Sequence, residues 1–152
     1  MTITAVIPAY NEEERIVDTL RAVKSLPQID DIIVVNDGSC DQTARRARAE
    51  GVTLIDLPAN RGKGGALNAA LPYIDADITV FLDADLGKSA GEAEKLIEAV
   101  RSGRCDLAIA AFPPASRKGG FGLVKGTAAR AIKRAGKMEA TAPLSGQRAL
   151  NR

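Results

Sequence analysis

Residues Thr79–Gly87 read TVFLDADLG, and this stretch decides how the rest of the chain is interpreted. The β-branched and apolar run Ile78–Leu82 predicts a buried strand. Two carboxylates follow it directly, Asp83 and Asp85, with only Ala84 between them. Like charges this close repel unless donors or a cation compensate them, and Mg²⁺ or Mn²⁺ would do so while keeping coordination sites for phosphate oxygens. The alternative is an ordinary turn after a strand, where Asp is common.

The composition is that of a globular domain. The chain has 152 residues, of which 45% are hydrophobic and 26% charged, enough for one domain with its own core. It has no histidine, and its two cysteines, Cys40 and Cys105, lie far apart. This excludes a His-based catalytic triad and a Cys/His zinc site within the chain, and it indicates a reducing compartment. No apolar run is long enough to span a bilayer, and the first residues already show a strand pattern, so we expect a cytoplasmic protein without a signal peptide or membrane span. We also expect no nucleic-acid partner.

Apolar runs alternate with helical patterns along the chain. Strands are predicted at residues 3–7, 31–35, 52–57, 78–82 and 107–110. Helices are predicted from an Asn11 cap to Pro27, from an Asp41 cap to Gly51, at about 66–71, and from a Ser89–Glu92 capping box to Arg101. This alternation predicts an α/β fold with a mostly parallel sheet and helices on both faces.

Polar clusters follow the carboxyl ends of four predicted strands, at residues 8–12, 36–39, 60–63 and 83–85. Ligands of open α/β sheets bind outside these ends, so the clusters are expected to converge on one crevice. Four clusters placed in this way favour a binding site over the turn alternative.

Each cluster has a functional and a plain structural interpretation. Asp37 can accept a hydrogen bond from a nucleobase, or it can form an N-cap or Asx-turn. Glu12 can accept from ribose hydroxyls, or it can complement a helix dipole. Arg61 and Lys63 lie in a predicted glycine-rich loop that can bind phosphate or be merely solvated. The loop lacks the spacing of a P-loop, and Gly62-Lys63-Gly64 is not a dinucleotide fingerprint.

Four motifs, in order and spacing, resemble the family 2 glycosyltransferases and their near relatives. They are VIPAYNEEERI (6–16), VVNDGSCDQT (34–43), NRGKGGALN (60–68) and FLDADL (81–86). The sequence departs from the pattern at Asn36, where many relatives have Asp, and at Cys40, where Thr is usual. The resemblance implies the GT-A fold (nucleotide-diphospho-sugar transferase), a Rossmann-like and mostly parallel sheet with helices on both faces. It also implies metal-dependent transfer of a sugar from a nucleotide-diphosphate sugar, UDP-sugar favoured over GDP-sugar, to an acceptor.

The same resemblance implies roles for single residues. Asp37 would contact the base, Glu12 the ribose, and Lys63 the base or the phosphates. Asp83 and Asp85 would be the metal-binding DxD motif, with Asp85 favoured as the direct ligand of Mg²⁺ or Mn²⁺. The metal would neutralise the charge that builds on the departing diphosphate. The nucleotide-binding residues implied in this way are Pro8, Ala9, Tyr10, Glu12, Asp37, Arg61, Lys63, Asp83 and Ala84, and the metal ligands are Asp85 and Asp83.

The last third of the chain is basic. No acidic residue lies between Asp106 and Glu139, whereas seven residues there are basic: Arg117, Lys118, Lys125, Arg130, Lys133, Arg134 and Lys137. A cationic loop (117–122) and a helix at about 123–135 are predicted here. They could contact an anionic acceptor, the donor diphosphate, or a lipid phosphate at the inner membrane face. The alternative is a solvated helix face. We expect one domain (1–152), with a donor half at about 1–110 and a partial acceptor-side segment at about 111–152, of which residues 142–150 are similar to a segment of some bacterial GT-A transferases.

The catalytic base is unknown from the sequence. Beyond the metal motif, Glu92, Glu94 and Glu98 fall on a predicted surface helix, and Asp106 falls at the far end of a strand. Glu139 is the remaining candidate. Relatives continue further, so we expect a chain truncated at its C-terminus that binds donor and transfers sugar poorly. An exposed apolar edge would then favour a homodimer.

Two other functions stay open. One is a sugar-1-phosphate nucleotidyltransferase, which shares the sheet and the metal aspartates but resembles a chain with a glycine-rich basic loop where this one has Pro8-Ala9-Tyr10-Asn11. The other is a domain that binds a nucleotide sugar without turning it over.

Overall fold

The computed structural model describes residues 1–111 and 146–152. Within them the strands are β1 (Ile3–Ala9), β2 (Asp31–Asn36), β3 (Thr53–Asp56), β4 (Ile78–Phe81), β5 (Leu107–Ile109) and β6 (Arg148–Asn151). The α-helices are α1 (Ile16–Lys24), α2 (Thr43–Ala49), α3 (Gly62–Ala70) and α4 (Ala93–Arg101). The predicted basic loop and helix, and Glu139, lie outside the described residues. None of the described helices is long and apolar enough to cross a bilayer.

The strands form a single sheet in the order β3-β2-β1-β4-β6-β5. β1 is parallel to β2 and β4, and β2 is parallel to β3. The predicted α/β fold with a mostly parallel sheet is therefore confirmed. β6 was not predicted; it runs antiparallel between β4 and β5, although it comes from the segment that we assigned to the acceptor side. Its sequence, RALN, is neither a continuous apolar run nor a strict apolar–polar alternation, so no pattern indicated a strand.

β1 lies at the centre of the sheet and is buried on both faces. Ile3, Ala5 and Ile7 belong to a core shared with α1, α2 and α4, whereas Val6 packs with α3 on the other face. Alternate residues of a strand point to opposite faces, so one short strand joins both cores. The loops at its carboxyl end thus follow a strand that is paired on both edges and buried on both faces.

α1 begins later than predicted. Asn11 has a left-handed backbone (φ 54°), and its Oδ1 accepts a hydrogen bond from the Cys40 N–H at 2.9 Å instead of capping the helix. The helix starts at Ile16, so Glu12–Glu14 precede it, and the predicted start from an Asn11 cap was wrong. The tether to the chain segment after β2 holds this stretch outside the helix.

α3 begins earlier than predicted. The stretch that the sequence indicates as a glycine-rich loop is helical from Gly62, so Lys63 lies in the first turn. Asn60 Oδ1 accepts from the Gly62 N–H at 3.0 Å, and Asp37 Oδ1 accepts from the Arg61 N–H at 2.7 Å. Acceptors supplied at the start of a helix stabilise it, and here they outweigh the low helix propensity of glycine.

The predicted capping box of α4 was also wrong. Ser89 lies in a 3-10 helix, Gly87–Glu92, and its hydroxyl donates to the Leu86 carbonyl at 2.7 Å. The α-helix begins only at Ala93, and it ends at Arg101 as predicted.

β5 forms one edge of the sheet. Its residues Leu107 and Ile109 are exposed, while Ala108 between them is buried against the core. Homodimerisation through an exposed apolar edge stays a prediction.

Candidate functional site

The loops that follow β1 and β2 are tied together at the carboxyl edge of the sheet. The Asn11 N–H donates to Ser39 Oγ at 3.0 Å, and the Glu12 N–H donates to Thr43 Oγ1 at 2.8 Å. Together with the Cys40–Asn11 bond, these contacts hold two polar loops side by side. The ends of β3 and β4 lie along the same edge, because β1 to β4 are parallel.

Asp37 has a structural task at this edge. Its side chain is buried, with only 3% of the residue exposed. Its backbone N–H donates to the Ala9 carbonyl at 2.8 Å, while Oδ1 accepts from the N–H of Arg61 at the start of α3. Asp37 thus links the ends of β1 and β2 to the beginning of α3.

Gly38, the next residue, has φ 68° and lies against the chain before α3. A Cβ at this position would lie 2.6 Å from the carbonyl carbon of Ala59 and 2.6 Å from the backbone nitrogen of Asn60. The close approach of two backbones requires glycine here.

Asp83 is held from two sides. Lys63 Nζ, from the first turn of α3, forms an ion pair with Oδ1. The Gln147 side-chain amide, from the residue before β6, donates to Oδ2 at 2.7 Å. Gly146 lies directly against this pair, since a Cβ there would lie 2.7 Å from Asp83 Oδ1. Both carboxylate oxygens of Asp83 are therefore engaged.

Asp85 is more open. Half of its side chain is exposed, and Arg15 Nη1 lies 4.0 Å from Oδ2. Glu12 is close enough to respond to it: burial raises the pKa of Glu12, and the negative charge of Asp85 raises that pKa further, against the opposing effect of Arg15. No group of three or more acidic, His or Cys side chains suited to a metal occurs among residues 1–111 and 146–152. A cation at Asp85 would therefore draw its remaining ligands from elsewhere, such as water or phosphate oxygens.

The other predicted nucleotide-binding residues differ in what they offer. Ala9 and Ala84 are buried and Pro8 is half-buried, so their backbones rather than their side chains shape the site. Tyr10 exposes 46% of its surface. Arg61 is exposed and contributes its N–H to Asp37.

Thr19 fixes the loop that carries the two aspartates, and sequence reasoning missed it. This fully buried α1 residue donates its hydroxyl to the Ala84 carbonyl and accepts from the Gly87 N–H, each at 2.8 Å. Its position among the apolar residues of α1, between Ile16 and Val23, was the available signal.

Thr19→Val is expected to destabilise the protein by about 1–3 kcal/mol, because it leaves a buried carbonyl and a partly buried N–H without their partner. The measurement is urea unfolding. The matched control is Thr53→Val, an exposed threonine on β3, for which we expect a change within about 0.5 kcal/mol. Equal stabilities of the two variants would contradict the role of Thr19.

Comparison with known proteins gives one family. The model of Glycosyl transferase family 2 matches residues 4–140. An uncharacterized protein of Methanocaldococcus jannaschii is 37% identical over an alignment of 135 positions, which covers 80% of this chain and 55% of that protein. A dolichyl-phosphate beta-glucosyltransferase of Trichomonas vaginalis is 32% identical over an alignment of 114 positions, which covers 66% of this chain and 35% of that protein.

A solved structure is similar over nearly the whole chain. It is glucosyl-3-phosphoglycerate synthase of Mycobacterium tuberculosis in complex with Mn²⁺, UDP-glucose and phosphoglyceric acid. The TM-score is 0.80 at 29% identity, and the match covers 99% of this chain and 56% of that one. The chain thus spans only about half the length of this protein and of the archaeal relative.

Proposed function

The chain belongs to glycosyl transferase family 2, and on this premise we propose that it binds a nucleoside-diphosphate sugar as the donor part of a metal-dependent glycosyltransferase. The observation that carries the proposal is the loop after β4. It presents the exposed carboxylate of Asp85 beside the Asp83–Lys63 ion pair, at the edge of the sheet where the polar loops after β1 and β2 also lie.

A divalent metal fits this site through Asp85. A carboxylate oxygen is the ligand type that Mg²⁺ and Mn²⁺ prefer, and half of this side chain is accessible. When bound, the metal supplies positive charge that stabilises the departing diphosphate. The ammonium of Lys63 balances the negative charge of Asp83. This reduces the repulsion between Asp83 and the negatively charged diphosphate. The complex of a family relative with Mn²⁺ and UDP-glucose supports this assignment.

The nucleoside would lie over the loops after β1 and β2. We place the base near Asp37 and the ribose near Glu12. Asp37 is anchored through Oδ1 by the start of α3, which gives a base-binding group a fixed position. Glu12 is held through its backbone by Thr43, and its half-buried carboxylate lies near Asp85.

The acceptor class proposed is a phosphorylated molecule. Two relatives point this way through their names: one acts on phosphoglycerate and the other on dolichyl phosphate. The basic residues between positions 117 and 137 match an anionic acceptor in charge. A lipid-phosphate acceptor would bring the protein to a membrane surface.

The test of the function is calorimetric titration of the chain with UDP, GDP and uridine, in Mn²⁺ and in EDTA. We expect UDP to bind more tightly than GDP, to need Mn²⁺, and to exceed uridine because the phosphates add contacts. A chain that binds none of these in Mn²⁺ would contradict the proposal.

Turnover separates the alternatives. Transfer of radiolabelled sugar from UDP-sugar to phosphorylated acceptors, by this chain beside a longer version, tests the transferase. A nucleotidyltransferase would instead release pyrophosphate from UTP and a sugar 1-phosphate. A pure binding domain would bind UDP-sugar and turn over neither, even in the longer version.

A further inference from the structure

We infer that Gly146 and Gln147, which enter β6, are part of the donor site, where Gln147 acts as a positioning residue for Asp83. The inference rests on the proposed function for the identity of the ligand. The contacts of Gln147 and Gly146 are seen in the protein without any ligand. Gln147 donates to Asp83 Oδ2 across 64 positions of sequence, on the opposite side of the carboxylate from Lys63.

The sheet fixes the position of Gln147. The next residue, Arg148, is paired with Phe81 of β4 on one side and with Ile109 of β5 on the other. Gln147 itself is only 7% exposed. A donor mounted at the end of a doubly paired strand moves little, so its hydrogen bond sets the orientation of the Asp83 carboxylate.

The arrangement separates the two aspartates by function. One carboxylate oxygen of Asp83 pairs with the Lys63 ammonium, and the other accepts from the buried Gln147 amide. The Asp85 side chain, in contrast, is half exposed. Gln147 and Lys63 together hold the Asp83 carboxylate in place. The phosphate-binding end of the site therefore depends on β6, an element that lies outside all four motifs.

Gly146 contributes by having no side chain. A Cβ there would overlap the ends of both the Lys63 and the Asp83 side chains. The backbone of Gly146 is outside the left-handed region, so alanine meets no backbone strain. Gly146→Ala is thus expected to displace the ion pair while the fold survives.

The test is a double-mutant cycle on UDP binding in Mn²⁺, with uridine as the second ligand. Gln147→Ala is expected to weaken UDP binding about tenfold and to leave uridine within about twofold, because the lost bond is to a charged group near the phosphates. Added to Asp83→Ala, it should cause no further loss if it acts through Asp83. Gly146→Ala should behave like Gln147→Ala. Gln28→Ala, in the connection before β2, is the matched control and should bind as the unaltered chain does.

Two outcomes would overturn the inference: unchanged UDP binding by Gln147→Ala, or a full additional loss in the Asp83→Ala background. A ligand-free measurement judges it separately from the proposed function. The side-chain amide NMR signals of Gln147 should shift in Asp83→Asn and stay in place in Asp56→Asn, whose carboxylate instead accepts from Asn36. Signals that do not respond to Asp83→Asn would refute the contact even if UDP binds, and a shift would support it even if UDP does not.

Discussion

Asp85→Asn is expected to weaken UDP binding in Mn²⁺ roughly 10- to 100-fold, or ~1.5–3 kcal/mol, the range for losing one contact to a charged group. The substitution keeps the size of the side chain and removes the charge that a hard cation requires. Because half of the Asp85 side chain is exposed and its contact with Arg15 is 4.0 Å long, stability should change by no more than about 0.5 kcal/mol. Calorimetry and urea unfolding measure the two quantities.

The control for this variant is Asp18→Asn, which removes a charge from an exposed residue of α1. It should bind UDP as the unaltered chain does, which separates a specific effect from a change in net charge. UDP affinity that is the same in EDTA and in Mn²⁺ would show that the metal assignment of Asp85 is wrong.

Gly38→Ala is expected to cost about 2–5 kcal/mol of folding free energy, the sum of a left-handed backbone carrying a side chain and an overlap with a neighbouring backbone. The added Cβ would lie 2.6 Å from atoms of Ala59 and Asn60, which cannot rotate away as a side chain does. Urea unfolding at 25 °C measures the loss. The same displacement would pull the Arg61 N–H from Asp37, so UDP affinity should fall as well.

Gly51→Ala is the matched control for the steric part. Gly51 has nearly the same backbone angle, φ 67°, and a Cβ at this position would meet no atom within 4 Å. Alanine there should cost only the backbone part, about 1–2 kcal/mol. Similar losses of folding free energy in both variants would mean that the close approach of Gly38 to the chain before α3 does not contribute to the cost.

Local sequence was sufficient for the parts of the fold that depend on local pattern. The apolar runs predicted β1 to β5, and the apolar spacing predicted the buried stripe Ile16, Leu20 and Val23 of α1. The polar clusters could be assigned to one edge because parallel strands end together.

What the sequence did not predict depends on partners far along the chain. Cys40 decides the conformation of Asn11, and Asp37 decides where α3 starts. Gln147 reaches Asp83 only because β6 enters the sheet next to β4. Such contacts leave no periodic signal in either segment, so only the folded arrangement reveals them.

The placement of β6 also sets the order of events during synthesis. β4 and β5 are neighbours in sequence among the described strands, yet they are joined there through β6, whose first residue, Arg148, follows the last residue of β5, Ile109, by 39 positions. Among the strands that the structure describes, β4 has one unpaired edge until β6 has been made, and β5 has no partner. A nascent chain in this state exposes apolar strand edges with which other chains can pair. We therefore expect chaperones to bind it during synthesis. The N-terminal two thirds of the chain carry nearly every recognisable motif, but β4 and β5 join one sheet only after residues 148–151 have been made.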